Sequence, residues 1–364
     1  MLGIAIPTLN RPDFLIRQLT YYAEMGFRHT IYIGDSSGPG YAEQVAEMVG
    51  RLQNHINIVL LLLPGLNSVE ATTELLHAVK EPYAVLMGDD DFLVPASLEM
   101  GERFLDTHPD FNTAHGVAAL CFVELDDSQR HVVTGLGEYA QRSLEHASAE
   151  ERLVDYLGNY FVTHFSLHRT KNFSREMNAT REITDGAFGE LVSGCLSVIG
   201  GKAKQFDCFG LVRQTHQRRY RAPDIFDWIT KEDWLPSYRV FRDCLAEEVA
   251  RQDGISMEEA SVVVKKAFWA YLARSLSRKW QGRYEGRDSG VRGRARRVGR
   301  AVPGARRALR TWREVRAMTR TGREELSLAA LLRPSSQYHA DFMPIYRAIT
   351  TSEFDLPTTV TGSI

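Results

Sequence analysis

Long hydrophobic runs are missing from this chain of 364 residues. No apolar stretch, Ile58 to Leu63 included, comes near the roughly 20 residues that a membrane-crossing helix needs. Cysteine is scarce as well. Cys121, Cys195, Cys208 and Cys244 stand apart with no Cys-x-x-Cys pair, which argues against a disulfide framework or a structural zinc site and for reduced thiols in a cytosolic protein. Met1 to Phe14 hold neither a basic leader nor a long apolar core, so no signal peptide is expected and the chain reads as cytoplasmic. Lysine is rare too, with 8 against 36 arginines, a bias consistent with a GC-rich genome. What is present is ordinary in bulk: 44% hydrophobic, 25% charged, and a net charge of −2 that hides a strong local asymmetry.

The first third alternates strand and helix signals. Leu2 to Ile6 is a short branched run ended by Pro7, and Pro12 suits the first turn of a helix carrying Phe14, Leu15, Leu19 and Tyr22. Strands follow at Thr30 to Ile33, Ile56 to Leu63 and Tyr83 to Met87, with helices at Tyr41 to Gln53 and near Val69 to Val79 between them. Strands alternating with helices of roughly 10 to 15 residues predict an α/β fold, a doubly wound and mostly parallel sheet covered on both faces. The polar clusters around Asn10, Asp35 and Asp89 to Asp91 all follow strands, which puts them on the rim where such sheets bind ligands. Further on, Ala118 to Leu125, Tyr160 to His168 and Lys204 to Gln214 read as strands. Glu150 to Leu157, Asp185 to Ile199, Trp234 to Gln252 and Ser256 to Trp280 read as helices, the last opened by a Ser256/Glu259 capping box.

Asp89-Asp90-Asp91 carries the strongest chemical signal. Three adjacent carboxylates repel one another unless a cation or solvent relieves them. Asp89 and Asp91 could hold a hard divalent ion, Mn²⁺ or Mg²⁺, that keeps positions open for phosphate oxygens. The alternative is a solvated acidic turn.

The run Ile4-Ala5-Ile6-Pro7-Thr8-Leu9-Asn10-Arg11-Pro12, leading on to Asp35-Ser36-Ser37, resembles the opening of family-two glycosyltransferases with the Rossmann-like glycosyltransferase-A fold. Met87-Gly88-Asp89-Asp90-Asp91-Phe92-Leu93 is similar to their D-x-D metal motif, and the nearest branch is that of bacterial surface-polysaccharide enzymes. The resemblance is good to about residue 110, thins towards 220 and then ends. It implies an inverting, metal-dependent transfer from a nucleoside diphosphate sugar to a hydroxyl of a glycan or lipid-linked acceptor. It places Pro7, Thr8, Asn10 and Arg11 by the nucleotide, Asp35 on base or ribose, Asp89 and Asp90 near ribose and metal, and Asp91 on the metal. Asp35 reads equally as a turn-forming residue.

The resemblance also implies an acidic base at a helix start about 100 residues after the metal motif. Glu190 matches best and Asp185 second, although the family's Glu-Asp pair is missing and Asp185 also suits a helix cap. His216 is a further metal or diphosphate candidate and otherwise a structural histidine. Arg213, Arg218 and Arg219 are placed to neutralise a leaving diphosphate.

Residues 286–323 contain 13 arginines, no lysine, and only Asp288 and Glu314 as acids. Val298, Val302, Ala305, Leu309, Trp312 and Met318 interleave with them, as in a basic amphipathic helix broken at Pro303-Gly304. An anionic membrane surface at the inner face of the plasma membrane is the preferred partner, with about 1 kcal/mol per cation. No nucleic-acid motif accompanies the arginines. The expected organisation is a catalytic domain at 1–223, a helical extension at 224–285, the Arg-rich segment at 286–323 and a tail at 324–364. Two rival functions remain on sequence grounds: a nucleotidyltransferase, whose glycine-rich phosphate loop is absent after the first strand, and a non-catalytic nucleotide-sugar-binding or scaffold protein.

Overall fold

Short branched strands and proline-started helices build the N-terminal half of the chain as expected. The computed structural model describes residues 1–218, 224–281 and 326–351. The Arg-rich segment 286–323, with its expected amphipathic helix and membrane surface, lies outside the described residues, as does Arg219. In order come β1 (Leu2–Thr8), α1 (Pro12–Glu24), β2 (Thr30–Asp35), α2 (Pro39–Leu52), β3 (Asn57–Leu62), α3 (Ser68–Ala78) and β4 (Tyr83–Leu86). Pro12 and Pro39 sit at helix starts, where a missing N–H costs nothing. Asn67 and Glu70 form a capping box ahead of α3.

The second half contains β5 (Phe92–Leu93), α4 (Pro95–Thr107), β6 (Phe111–Leu125), β7 (His131–Tyr139), α5 (Ala149–Gly158), β8 (Leu167–Arg169), α6 (Thr170–Asn178), α7 (Gly186–Gly200) and β9 (Lys202–Thr215). After it come α8 (Ile225–Trp228), α9 (Trp234–Asp253), α10 (Met257–Trp280), α11 (Leu328–Leu331) and α12 (His339–Thr350). The strands form one sheet of order β3-β2-β1-β4-β8-β6-β9-β5, with β7 on the side of β6. β3, β2, β1 and β4 run parallel, as do β6 and β9, while β8, β5 and β7 pair antiparallel. The architecture is therefore mixed α/β, a central sheet flanked by helices with C-terminal helices added. The strand expected over Tyr160 to His168 shrinks to β8; Tyr160 to Ser166 run as a loop whose rings pack sideways, with Phe161 against Tyr156. No helix among the described residues is long and apolar enough to cross a membrane.

Two large cores result. One lies under β1, β2, β4 and β6 and takes in Phe342, Ile345 and Ile349 of α12, so residues 326–351 of the expected tail pack as structure. The other joins α5 and α7 to α8, α9 and α10: Phe188 touches Trp228, Trp234, Phe241 and Phe268. The expected boundary at 223/224 thus marks no break in packing.

Between the two cores, β6 and β9 approach closely at a bulge. A Cβ on Gly116 would lie 2.6 Å from the Cys208 carbonyl oxygen and 3.0 Å from the Gly210 Cα. Backbone cannot yield as a flexible side chain does, so Gly116→Ala should lower unfolding free energy by about 1–3 kcal/mol. Gly50→Ala is the control: its helical site in α2 has nothing within 4 Å, and it should gain up to about 1 kcal/mol. Urea midpoints of the two variants check both signs.

Candidate active site

The turn from β4 into β5 is gripped from two sides. Gln18 of α1 donates its side-chain amide to the carbonyls of Gly88 (2.8 Å) and Asp91 (2.6 Å). Gln214 of β9 donates its backbone N–H to Asp91 Oδ1 at 2.7 Å and its side-chain amide to the Asp90 carbonyl. Held this way, Asp89, Asp90 and Asp91 are only 0%, 8% and 3% exposed, which rules out a solvated acidic turn.

Relief of their mutual repulsion comes from the protein's own cations. Arg11, just ahead of α1, bridges two carboxylates: its Nε and Nη2 meet Asp89 and its Nη1 lies 3.2 Å from Asp90 Oδ2. Thr8 Oγ1, at the end of β1, donates to Asp89 Oδ2 at 2.7 Å. His216 Nε2 sits 2.7 Å from Asp90 Oδ2, its ring stacked on Phe14 at 4.6 Å. Arg213 Nε reaches Asp91 Oδ2 at 3.3 Å while its Nη1 donates to the Tyr139 hydroxyl at 2.7 Å and its head lies over Phe165. Thr8, Arg11, Asp89, Asp90, Asp91, Arg213 and His216 are thus brought together. Burial pushes Asp89 up to about 7 against the opposing pull of Arg11. Burial would raise Asp90 too, but His216 and Arg11 outweigh it and hold that carboxyl below its usual range.

Beside this cluster the loops after β1 and β2 are tied together. Asn10 adopts a left-handed backbone (φ 56°), a conformation that asparagine tolerates. Its N–H donates to Ser37 Oγ at 2.7 Å and its Oδ1 accepts from the Gly38 N–H at 2.9 Å. Asp35, level with Thr8 in the β1/β2 register, is buried; its Oδ1 accepts from the Ser37 N–H at 2.9 Å. The other oxygen, Oδ2, is buried with no partner among the described residues. The turn role is therefore real and uses one oxygen only. Pro7 pairs with Gly34 at the same rim.

The two base candidates part company. Asp185 caps α7: its Oδ1 accepts from the Ala187 N–H (3.0 Å), the Phe188 N–H (3.1 Å) and Trp228 Nε1 (2.8 Å), and it is 1% exposed. Glu190, one turn on, is exposed and opens on a cleft of about 490 Å³. Burial raises the half-buried Tyr139 phenol, Arg213 opposes the rise, and Asp91 and Glu190 add to it. Tyr139, Gln18 and Gln214 were not singled out from the sequence. Gln18 did carry a signal, as a lone amide on the apolar stripe Phe14, Leu15, Leu19 and Tyr22 of α1.

Among the described residues, no group of three or more histidine, cysteine or acidic side chains is arranged to hold a metal ion by itself. The donor chemistry nonetheless fits a hard divalent ion of the kind held by one or two protein ligands plus substrate phosphate, because Asp90 and His216 already stand side by side. Asp89 sits deeper, enclosed by Thr8 and Arg11.

A carboxyl raised from 3.8 to about 7 contributes its stability below pH 4, and that contribution is lost as pH rises through 7. Asp89→Asn should therefore be more stable than the parent chain at pH 8, with the advantage gone at pH 4. At roughly 1.4 kcal/mol per pH unit the gain has a ceiling of about 4 kcal/mol, read from denaturant midpoints at the two pH values.

No family model matches the chain, and no curated protein matches it. Among solved structures it is similar to S. aureus TarS. Residues 1–349 of that protein align at 13% identity with a TM-score of 0.48, over 78% of this chain and 75% of that one. The same TarS fragment in complex with UDP-GlcNAc aligns at 12% identity with a TM-score of 0.46, over 78% and 76%. A longer TarS aligns at 12% with a TM-score of 0.47, over 96% of this chain and 54% of that one. At such identity and overlap the likeness carries no assignment of function.

Proposed function

We propose that this chain is an inverting glycosyltransferase that moves a sugar from a nucleoside diphosphate sugar to a hydroxyl of a glycan or lipid-linked acceptor. The observation that carries it is the charge set of the buried Asp89-Asp90-Asp91 with Arg11, Arg213 and His216 at the carboxyl ends of the strands, together with an exposed carboxylate, Glu190, that opens on a cleft. A donor diphosphate suits such a set because Arg11 and Arg213 can exchange carboxylate partners for phosphate oxygens of the same charge and geometry. The unpartnered Asp35 Oδ2 accepts from the imide or ribose hydroxyl of the nucleotide. Asn10, fixed by Ser37 and Gly38, shapes the floor beneath it.

Glu190 takes the proton of the acceptor hydroxyl as its oxygen attacks the anomeric carbon. The bond from that carbon to the diphosphate oxygen breaks, and its electron pair leaves on the nucleoside diphosphate, where Arg213 and Arg11 stabilise the new charge. A divalent ion, Mn²⁺ or Mg²⁺, held by Asp90 and His216 with Asp91 beside them, would add Lewis-acid neutralisation of the same leaving group. Asp185, spent on capping α7, orients the helix that carries Glu190.

Thermal unfolding with a panel of nucleoside diphosphate sugars, with Mn²⁺ and with chelator, tests the donor side. A matching donor at a hundred times its Kd should stabilise the chain by about 2.7 kcal/mol, and less without the ion. Glu190→Gln should keep that stabilisation and lose about 100-fold or more in kcat. Asp185→Ala should lower stability by about 1 kcal/mol through the lost cap. No stabilisation by any nucleotide sugar would favour a scaffold role, and pyrophosphate release from a nucleoside triphosphate and a sugar phosphate would favour nucleotidyl transfer.

A further inference from the structure

The cleft in front of Glu190 has a composition of its own. Its walls are aromatic and apolar: Tyr160, Leu191, Trp228 and Tyr271, with the Tyr160 and Tyr271 rings edge to face at 5.2 Å. Its rim holds Arg278 and Lys279 from the last turn of α10. Both are exposed, and neither makes an ion pair with an acid among the described residues. Cations in a last turn also complement the helix dipole, but that role does not require them to face a cavity. At about 490 Å³ the cleft falls within the range of small-ligand sites. Aromatic walls suit the C–H faces of a sugar ring, and two unpaired cations suit an anion carried on it.

We propose that this cleft is the acceptor subsite and that the acceptor is a phosphate-bearing sugar unit. The sugar ring lies against Tyr160 and Tyr271, the phosphate meets Arg278 and Lys279, and a ring hydroxyl faces Glu190. This rests on Glu190 as the base: the hydroxyl proton passes to Glu190, the new bond joins the hydroxyl oxygen to the donor's anomeric carbon, and the nucleoside diphosphate leaves with the electron pair of the broken bond. A neutral glycan would leave both rim cations without a counterpart.

Calorimetric titration of the full chain with glucose 6-phosphate, glucose and inorganic phosphate tests the assignment. Glucose 6-phosphate should bind roughly tenfold or more tightly than either of the others. The Arg278→Gln/Lys279→Gln double variant should lose that preference while nucleotide-sugar stabilisation stays unchanged, since neither residue is among the side chains that hold the acidic turn. Equal binding of glucose and glucose 6-phosphate, no binding of either at millimolar concentration, or a preference that survives in the double variant would each overturn the proposal. A preference that the double variant abolishes, in a chain that no nucleotide sugar stabilises, would keep the phosphosugar cleft and sink the donor reading instead. Polyprenyl phosphoglucose in phosphatidylcholine vesicles separates the two sources of the phosphate: tighter binding there than to free glucose 6-phosphate assigns a lipid-borne acceptor, and equal or weaker binding a soluble one.

Discussion

Three buried carboxylates in a row stand in this chain beside two arginines and a histidine from distant elements, which bond to them. Arg11 arrives from the start of α1, and Arg213 and His216 arrive at the end of β9, more than a hundred residues after the acidic turn. Removing Arg11 or Arg213 would leave carboxylates buried without compensation, the costly outcome for ions in a low dielectric. The sheet order, the clamp of Gln18 and Gln214, and the β6/β9 bulge all serve to deliver these groups to one point.

Around that point the molecule divides labour between its two cores. The first carries the strand ends with Thr8, Asn10, Asp35 and the acidic turn. The second, built on α5, α7 and the C-terminal helices α8 to α10, carries Glu190 and the aromatic cleft. Tyr139, on β7, packs against the first core and accepts a hydrogen bond from Arg213. The pieces that suit a nucleotide and those that suit a sugar acceptor are therefore supported by separate hydrophobic clusters within one continuous fold.

Periodicity made β1 to β4 and α1 to α3 legible from residues alone, because buried parallel strands and proline-started helices each leave a local mark. The Ser256/Glu259 capping box was legible for the same reason and is present with both hydrogen bonds. Tyr160 to Ser166 misled because an apolar stretch of strand length can equally line a loop that packs its rings sideways. The two-residue β5 and the weakly alternating β7 left too little pattern to find. At the site, the residues were legible but their partners were not. The sequence offered metal or solvent as the relief for Asp89 to Asp91 and did not offer Arg11 or Arg213, a pairing that exists only after the chain has crossed the sheet. Asp185 was open between cap and base, and its three short hydrogen bonds through one oxygen show the cap.

The docking of α12 carries a consequence for how the molecule is made. Ile4 of the first strand and Ile349 near the other end of the chain belong to one core, and Arg17 of α1 donates to the Ile349 carbonyl. A ribosome that has released only the strand-rich half has not yet supplied Phe342, Ile345 or Ile349. Contacts of such long sequence separation are slow to form and expose apolar surface while they wait. Residues as far along as Ile349 must emerge before the core under the first strands is complete.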